Sequence, residues 1–122
     1  MNDEILAYLN RAFSDIGINY SFMRKNGKVS YPYFVGDYVE SPEATESGEM
    51  RVTFNLNGWT KGSWMELEII KQKLANKFRH FTGMLDGYGV LIMYSNSTPI
   101  PVEDSELKRM QIVFEVHIWR NE

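Results

Sequence analysis

Cysteine is missing from all 122 residues of this chain. Disulfide bridges, thiolate metal sites and thiol catalysis are excluded with it. Histidine occurs only twice, at His80 and His117, with no carboxylate at ligand spacing to complete a metal motif. An excess of positive charge is lacking too: 13 Lys and Arg stand against 16 Asp and Glu, for a net charge of −3. That balance argues against a general nucleic-acid binder, which carries a basic face. Apolar runs reach only a few residues, far short of the roughly 20 that a membrane-spanning helix needs. The start, Met1-Asn2-Asp3-Glu4, has neither the basic residues nor the apolar stretch of a signal peptide. The expectation is a soluble protein, without a membrane partner, working in the cytoplasm.

What is present is a globular composition. Hydrophobic residues make up 43% and charged residues 24%, enough to bury one core and to rule out wholesale disorder. Seven Tyr, seven Phe and three Trp lift the aromatic share to 14%. Aromatic side chains build small cores and also anchor interface centres, so composition leaves both uses open. No repeat or linker interrupts the chain, and residues 1–122 are expected to form a single domain.

Periodicity then orders the elements. Ile5, Leu6, Leu9, Ala12, Phe13 and Ile16 share one face of a helix over 3–16, which Gly17 stops. Alternation at Ile18, Tyr20 and Phe22, then at Val29, Tyr31, Tyr33 and Val35, brackets Asn26-Gly27 and predicts a β-hairpin. Pro32 would make its second arm an edge or irregular strand. Residues 40–49 read as an acidic loop, and Met50, Val52, Phe54 and Leu56 as a half-buried strand. A glycine-rich break over 57–62 precedes a second helix from Ser63 to about Phe81, ended by Gly83. Ser63-Trp64-Met65-Glu66 matches a capping box at its start, with Trp64 placed to seal the core. Tyr88 to Tyr94 predicts a strand, Ser95 to Pro101 a loop, and Met110 to Ile118 the last strand. The sum is an α+β protein: an antiparallel sheet of about four to five strands with two helices packed on one face.

Nothing in this order assembles catalytic groups. Asp104 and Glu106 could act as an acid–base pair only in a pocket that shifts their pKa values. They precede Lys108 and Arg109, which can pair with them within the chain or between subunits. Gly87-Tyr88-Gly89 opens no helix and has no phosphate-loop pattern. The expectation is therefore a protein that is not an enzyme and takes no cofactor or metal. Its candidate residues are interaction residues. Arg24, Lys25 and Lys28 surround the Asn26 tip with aromatics on the arms, a pattern that binds single-stranded nucleic acid in some proteins and merely solubilises a loop tip in others. Trp59 and Trp64 flank the glycine-rich break as surface anchors or core pieces. Glu40, Glu43, Glu46 and Glu49 form an acidic run with no Lys or Arg among residues 40–49.

Tyr31-Pro32-Tyr33-Phe34-Val35-Gly36, an acidic loop, Val52-Thr53-Phe54-Asn55-Leu56 and a capped helix come in a telling order. A strand at Val90 to Tyr94, a loop with Pro99 and Pro101, and Gln111 to Trp119 complete it. This order resembles the small tail-completion or tail-terminator proteins of long-tailed phages and prophages, over most of the chain. The resemblance implies an α+β fold, no catalysis, and assembly with itself into a ring, commonly a hexamer, at the head-proximal end of the tail tube. It implies tail-tube and head-connector proteins as partners, DNA only in passage through the lumen, and a place in the virion after assembly in the host cytoplasm. The resemblance does not extend to the acidic run, which in such a ring would either face the lumen and repel passing DNA or serve as a plain flexible loop. The alternatives are another small tail or connector protein, or a small nucleic-acid-binding domain using the basic hairpin.

Overall fold

The structure is a computed structural model that describes residues 3–24, 27–42, 49–85, 87–103 and 106–120. Its elements run α1 (Asp3–Ile16), β1 (Asn19–Phe22), β2 (Tyr33–Pro42), β3 (Met50–Thr60), α2 (Trp64–Lys77), β4 (Phe81–Leu85), β5 (Tyr88–Ile100) and β6 (Lys108–Arg120). The strands form one sheet in the order β1-β2-β3-β6-β5-β4. Every pairing is antiparallel except β1 with β2, which is parallel. The sheet is therefore six-stranded and mixed, where four to five antiparallel strands were expected.

α1 ends where the sequence predicts, and the cap explains why. Gly17 takes φ +92°, its amide reaches the Ser14 carbonyl, and the Ile18 amide reaches the Phe13 carbonyl. That pair of bonds is a Schellman closure, which needs the left-handed residue that glycine supplies without strain. Ile5, Leu9, Ala12 and Phe13 form the buried face of α1. Phe13 lies 6.1 Å from Phe54 and 6.3 Å from Phe114, ring centre to ring centre. From the C-cap of α2, Phe78 meets Phe114 edge-on at 5.3 Å. Both helices thus send their rings to the sheet face carrying Phe34, Val52, Phe54, Leu56, Ile92, Ile112, Phe114 and Val116, all fully buried.

Several local expectations give way to tertiary pairing. The predicted hairpin does not form: Asn19 pairs with Tyr33 and Phe22 with Gly36, so the chain crosses back before β2 starts. Pro32 precedes β2, and β2 runs on to Pro42 beside β3, taking Glu40 and Ser41 out of the acidic loop. β3 continues through the glycine-rich stretch to Thr60, because Tyr33 and Arg109 pair with Trp59 from either side. α2 stops at Lys77, and Phe81 and Gly83 belong to β4, a strand the helical reading absorbed. The Ser95–Pro101 loop is mostly strand, since β5 runs to Ile100 past an irregularity between Tyr94 and Asn96. β4 reaches only as far as Ile92, so Pro99 sits where β5 has β6 as its sole neighbour and the missing amide costs no ladder bond on the open side.

The capping box is also absent. Ser63 is the N-cap residue but makes no side-chain cap bond. Glu66 instead accepts a bond from the Thr60 hydroxyl at 3.0 Å, and that hydroxyl accepts the Gly62 amide at 3.0 Å. The buried end of β3, not the N-cap, ties down the first turn of α2. Trp64 does not seal the core; it is 40% exposed.

Candidate interaction surface

Strand side chains alternate between faces, so the residues between the core positions fill the face opposite the helices. On that face the register sets Tyr33 of β2, Trp59 of β3 and Arg109 of β6 side by side in one row. Cross-strand neighbours stand close enough for their rings to stack. Tyr33 and Trp59 do so, with centroids 5.1 Å apart and planes 19° from parallel. Tyr31 extends the stack, 5.5 Å from Tyr33, and the Lys61 ammonium sits 5.6 Å from the Tyr31 ring centre. At the other end the Arg109 guanidinium lies 5.3 Å from the Trp59 ring centre. Three aromatic rings are thus bracketed by two cations, each held by the negative face of a ring.

The electrostatics of this ladder are one-sided. Arg109 donates through Nη2 to the Asn57 amide oxygen at 3.0 Å, a neutral partner. Its Nε is buried and has no hydrogen-bond partner, and among the described residues Arg109 has no ion pair. Burial, and then the neighbouring Tyr31, push the Tyr33 phenol above its ordinary pKa. The far end of the same face is different in character. There Arg51 pairs with His117 across β3 and β6, and Glu49 meets both, with its carboxylate on His117 Nδ1 and 3.8 Å from Arg51 Nε. Between the ends, Asn55 donates to Asp37 at 3.1 Å and Thr53 to Glu115 at 3.5 Å. A second exposed surface lies on α2, where Met65 and Ile69, one turn apart, are 63% and 50% exposed beside Trp64.

The predicted interaction residues distribute accordingly. Trp59 and Arg109 come together in the ladder, while Lys108, opposite Thr60 at the start of β6, alternates to the other face of the sheet. Trp64 stands apart on α2. Arg24 and Lys28 are exposed on the crossing between β1 and β2, not on a hairpin tip; Lys25 and Asn26 lie outside the described residues. Glu40 is an exposed strand residue and Glu49 joins the His117 cluster, while Glu43 and Glu46 lie outside the described residues. Glu106 is exposed ahead of β6, and Asp104 lies outside the described residues. Tyr31, Tyr33 and Lys61 complete the ladder without being among the expected interaction residues: the sequence puts Tyr31 and Tyr33 on the arm of the predicted hairpin, and only the register sets Tyr33 beside Trp59. Among the described residues no group of three or more His, Asp or Glu is placed to hold a metal ion, and no helix is long and apolar enough to cross a membrane.

What these elements define is an α+β fold of two helices and a curled six-stranded mixed sheet, with an aromatic–cationic row across β2, β3 and β6. No family model matches the chain, and no curated protein does either. Solved structures do. One is a chain of the "Virion of native gene transfer agent (GTA) particle", 11% identical, with a TM-score of 0.64 over 88% of this chain and 84% of that one. Another, bearing no functional description, is 13% identical, with a TM-score of 0.75 over 98% of this chain and 96% of that one. Likeness at these identities is likeness of fold.

Proposed function

We propose that this chain is a structural protein of a phage-like virion, and more narrowly a tail-terminator or tail-completion protein at the head–tail junction. The observation that carries the reading is the fold shared with a chain of a gene transfer agent virion over nearly the full length of both. The element order over residues 31–119 supports the narrower role, as does an architecture rich in exposed contact surface: the ladder, and Trp64, Met65 and Ile69 on α2. In this reading the protein is non-catalytic, assembles into a ring through heterologous contacts, and meets tail-tube and head-connector proteins at its two rims. It is made in the host cytoplasm and ends in the particle.

Native mass spectrometry over a concentration range, with electron microscopy of the same sample mixed with purified tail tubes, tests this. The expected result is a ring that caps one end of the tube. A protein that leaves both tube ends bare would sink the terminator role.

A further inference from the structure

We infer that the outward face of α2 is a self-recognition surface, on which two copies of this chain pair their α2 helices in parallel. The inference is independent of the proposed function, since this contact is two-fold and those of the proposed ring are heterologous.

Helical spacing carries it. α2 buries Leu67 and Leu74 in the core, and Phe78 follows at its C-cap. Residues 65, 69, 72 and 76 recur at steps of four, three and four, on the opposite side of the helix. Met65 is 63% and Ile69 50% exposed there, and Gln72 and Asn76 are exposed as well. A helix that merely covers a sheet keeps its outer side polar. This stripe reads instead as the seam of two heptads, with Ile69 and Asn76 at a and Met65 and Gln72 at d. Glu68 falls at g and Lys73 at e, and these same six residues line a shallow groove along the helix.

Charge selects the occupant and its direction. In a parallel pair each g position faces the e position five residues further along the other helix, so Glu68 meets the partner's Lys73 on both sides of the seam. An antiparallel pair sets g against g and e against e, which opposes like charges. Lys73 has no ion pair or hydrogen bond among the described residues. Glu68 holds Lys71 through Oε2 at 2.9 Å and keeps Oε1 for a second cation. The chain is thus its own complement across this face. A β-branched residue at a suits a two-stranded seam, and a single Asn at a fixes its register. Fourteen residues are too few to pair as free peptides, but α2 is already folded on the sheet, so pairing does not bear the cost of helix nucleation.

A single engineered cysteine tests the orientation, because the chain has none of its own. In the parallel pair the two a positions at residue 76 face each other at disulfide distance. In an antiparallel pair residue 76 faces residue 65, and the two copies of residue 76 stand about 16 Å apart at ~1.5 Å per residue. Oxidation is expected to join copies of Asn76→Cys and to leave Lys77→Cys, on the flank, mostly unjoined. Native mass spectrometry over a concentration range reads the strength of pairing. Ile69→Lys is expected to halve the parent assembly, a dimer to monomers or a double ring to single rings, with thermal unfolding unchanged. Lys73→Glu is expected to raise the dissociation constant at least about threefold. Adding Glu68→Lys to it is expected to return the constant to within about twofold of the parent, the signature of direct coupling. Asn76→Cys that does not crosslink overturns the inference. So does Ile69→Lys that assembles like the parent, a charge exchange that fails to restore pairing, or a parent that stays monomeric at every concentration.

Discussion

At the scale of single residues, aromatic rings laid over glycines set the tolerance of the sheet. A side chain at Gly58 would run into the ring of Phe34, which is fully buried and has nowhere to turn. A side chain at Gly89 would meet Trp119, which is 38% exposed and free to swing outward. Gly58→Ala should therefore cost about 1–3 kcal/mol, the usual penalty of overpacking, whereas Gly89→Ala should stay within about 0.5–1 kcal/mol. Urea midpoints at constant m-value measure both, and equal shifts would refute the distinction. Tyr20 offers a second residue-scale handle. Burial, and secondarily the Asp37 charge, raise its pKa in the folded protein. An acid whose folded pKa is raised holds its proton longer when folded, so its contribution is complete below the unfolded pKa of about 10 and is lost above it. Stability should fall as pH climbs past about 10, more steeply than in Tyr20→Phe. Tyr8 and Tyr33 shift in the same direction and leave a residual slope in that variant. Parallel alkaline slopes for the two proteins would count against the buried-phenol account.

Element by element, what could be read from the sequence was what local physics decides. The helix at 3–16 was legible because its apolar face and Gly17 cap agree, and β6 because Met110, Ile112, Phe114, Val116 and Ile118 alternate without interruption. Pairing was not legible. Asn26-Gly27 carries the strongest short hairpin signal, yet β1 joins β2 in parallel, because Tyr20 belongs under Phe13, at 4.8 Å, and on the core side of the sheet. β4 was hidden since Phe81 continues the apolar spacing of α2. The ladder was half visible: Trp59 and Arg109 stood out by type, but only the β2–β3–β6 register joins them to Tyr33. The α2 start shows the same competition, and it can be measured. Ser63 makes no cap bond with its side chain, so Ser63→Ala should change stability by less than about 0.5 kcal/mol, against the ~1 kcal/mol usual for a working cap. Thr60 is fully buried and its hydroxyl serves both Glu66 and Gly62, so Thr60→Val should cost about 1–3 kcal/mol by stranding them. The reverse order in urea denaturation would restore the capping box.

For the whole molecule, the sheet order ranks the parts by rigidity. β3 and β6 lie at the centre, paired on both sides for most of their length, and their inward side chains are the buried core. β1 contributes four residues at one margin and β4 five at the other. Elements with few pairings open at low free energy, while twice-paired central strands open only with the whole domain. Amide exchange should therefore be slowest in β3 and β6, at the level of global unfolding, and fastest in β1 and β4. This ranking bears on function, because Trp59 and Arg109 stand on the two slowest strands. A contact surface mounted there is held in place before a partner arrives, and binding loses little to ordering it. Exchange in β1 as slow as in β6 would mean that the margins are stiffened by something beyond strand pairing. It would also remove the argument that the ladder is the preorganised part of the molecule.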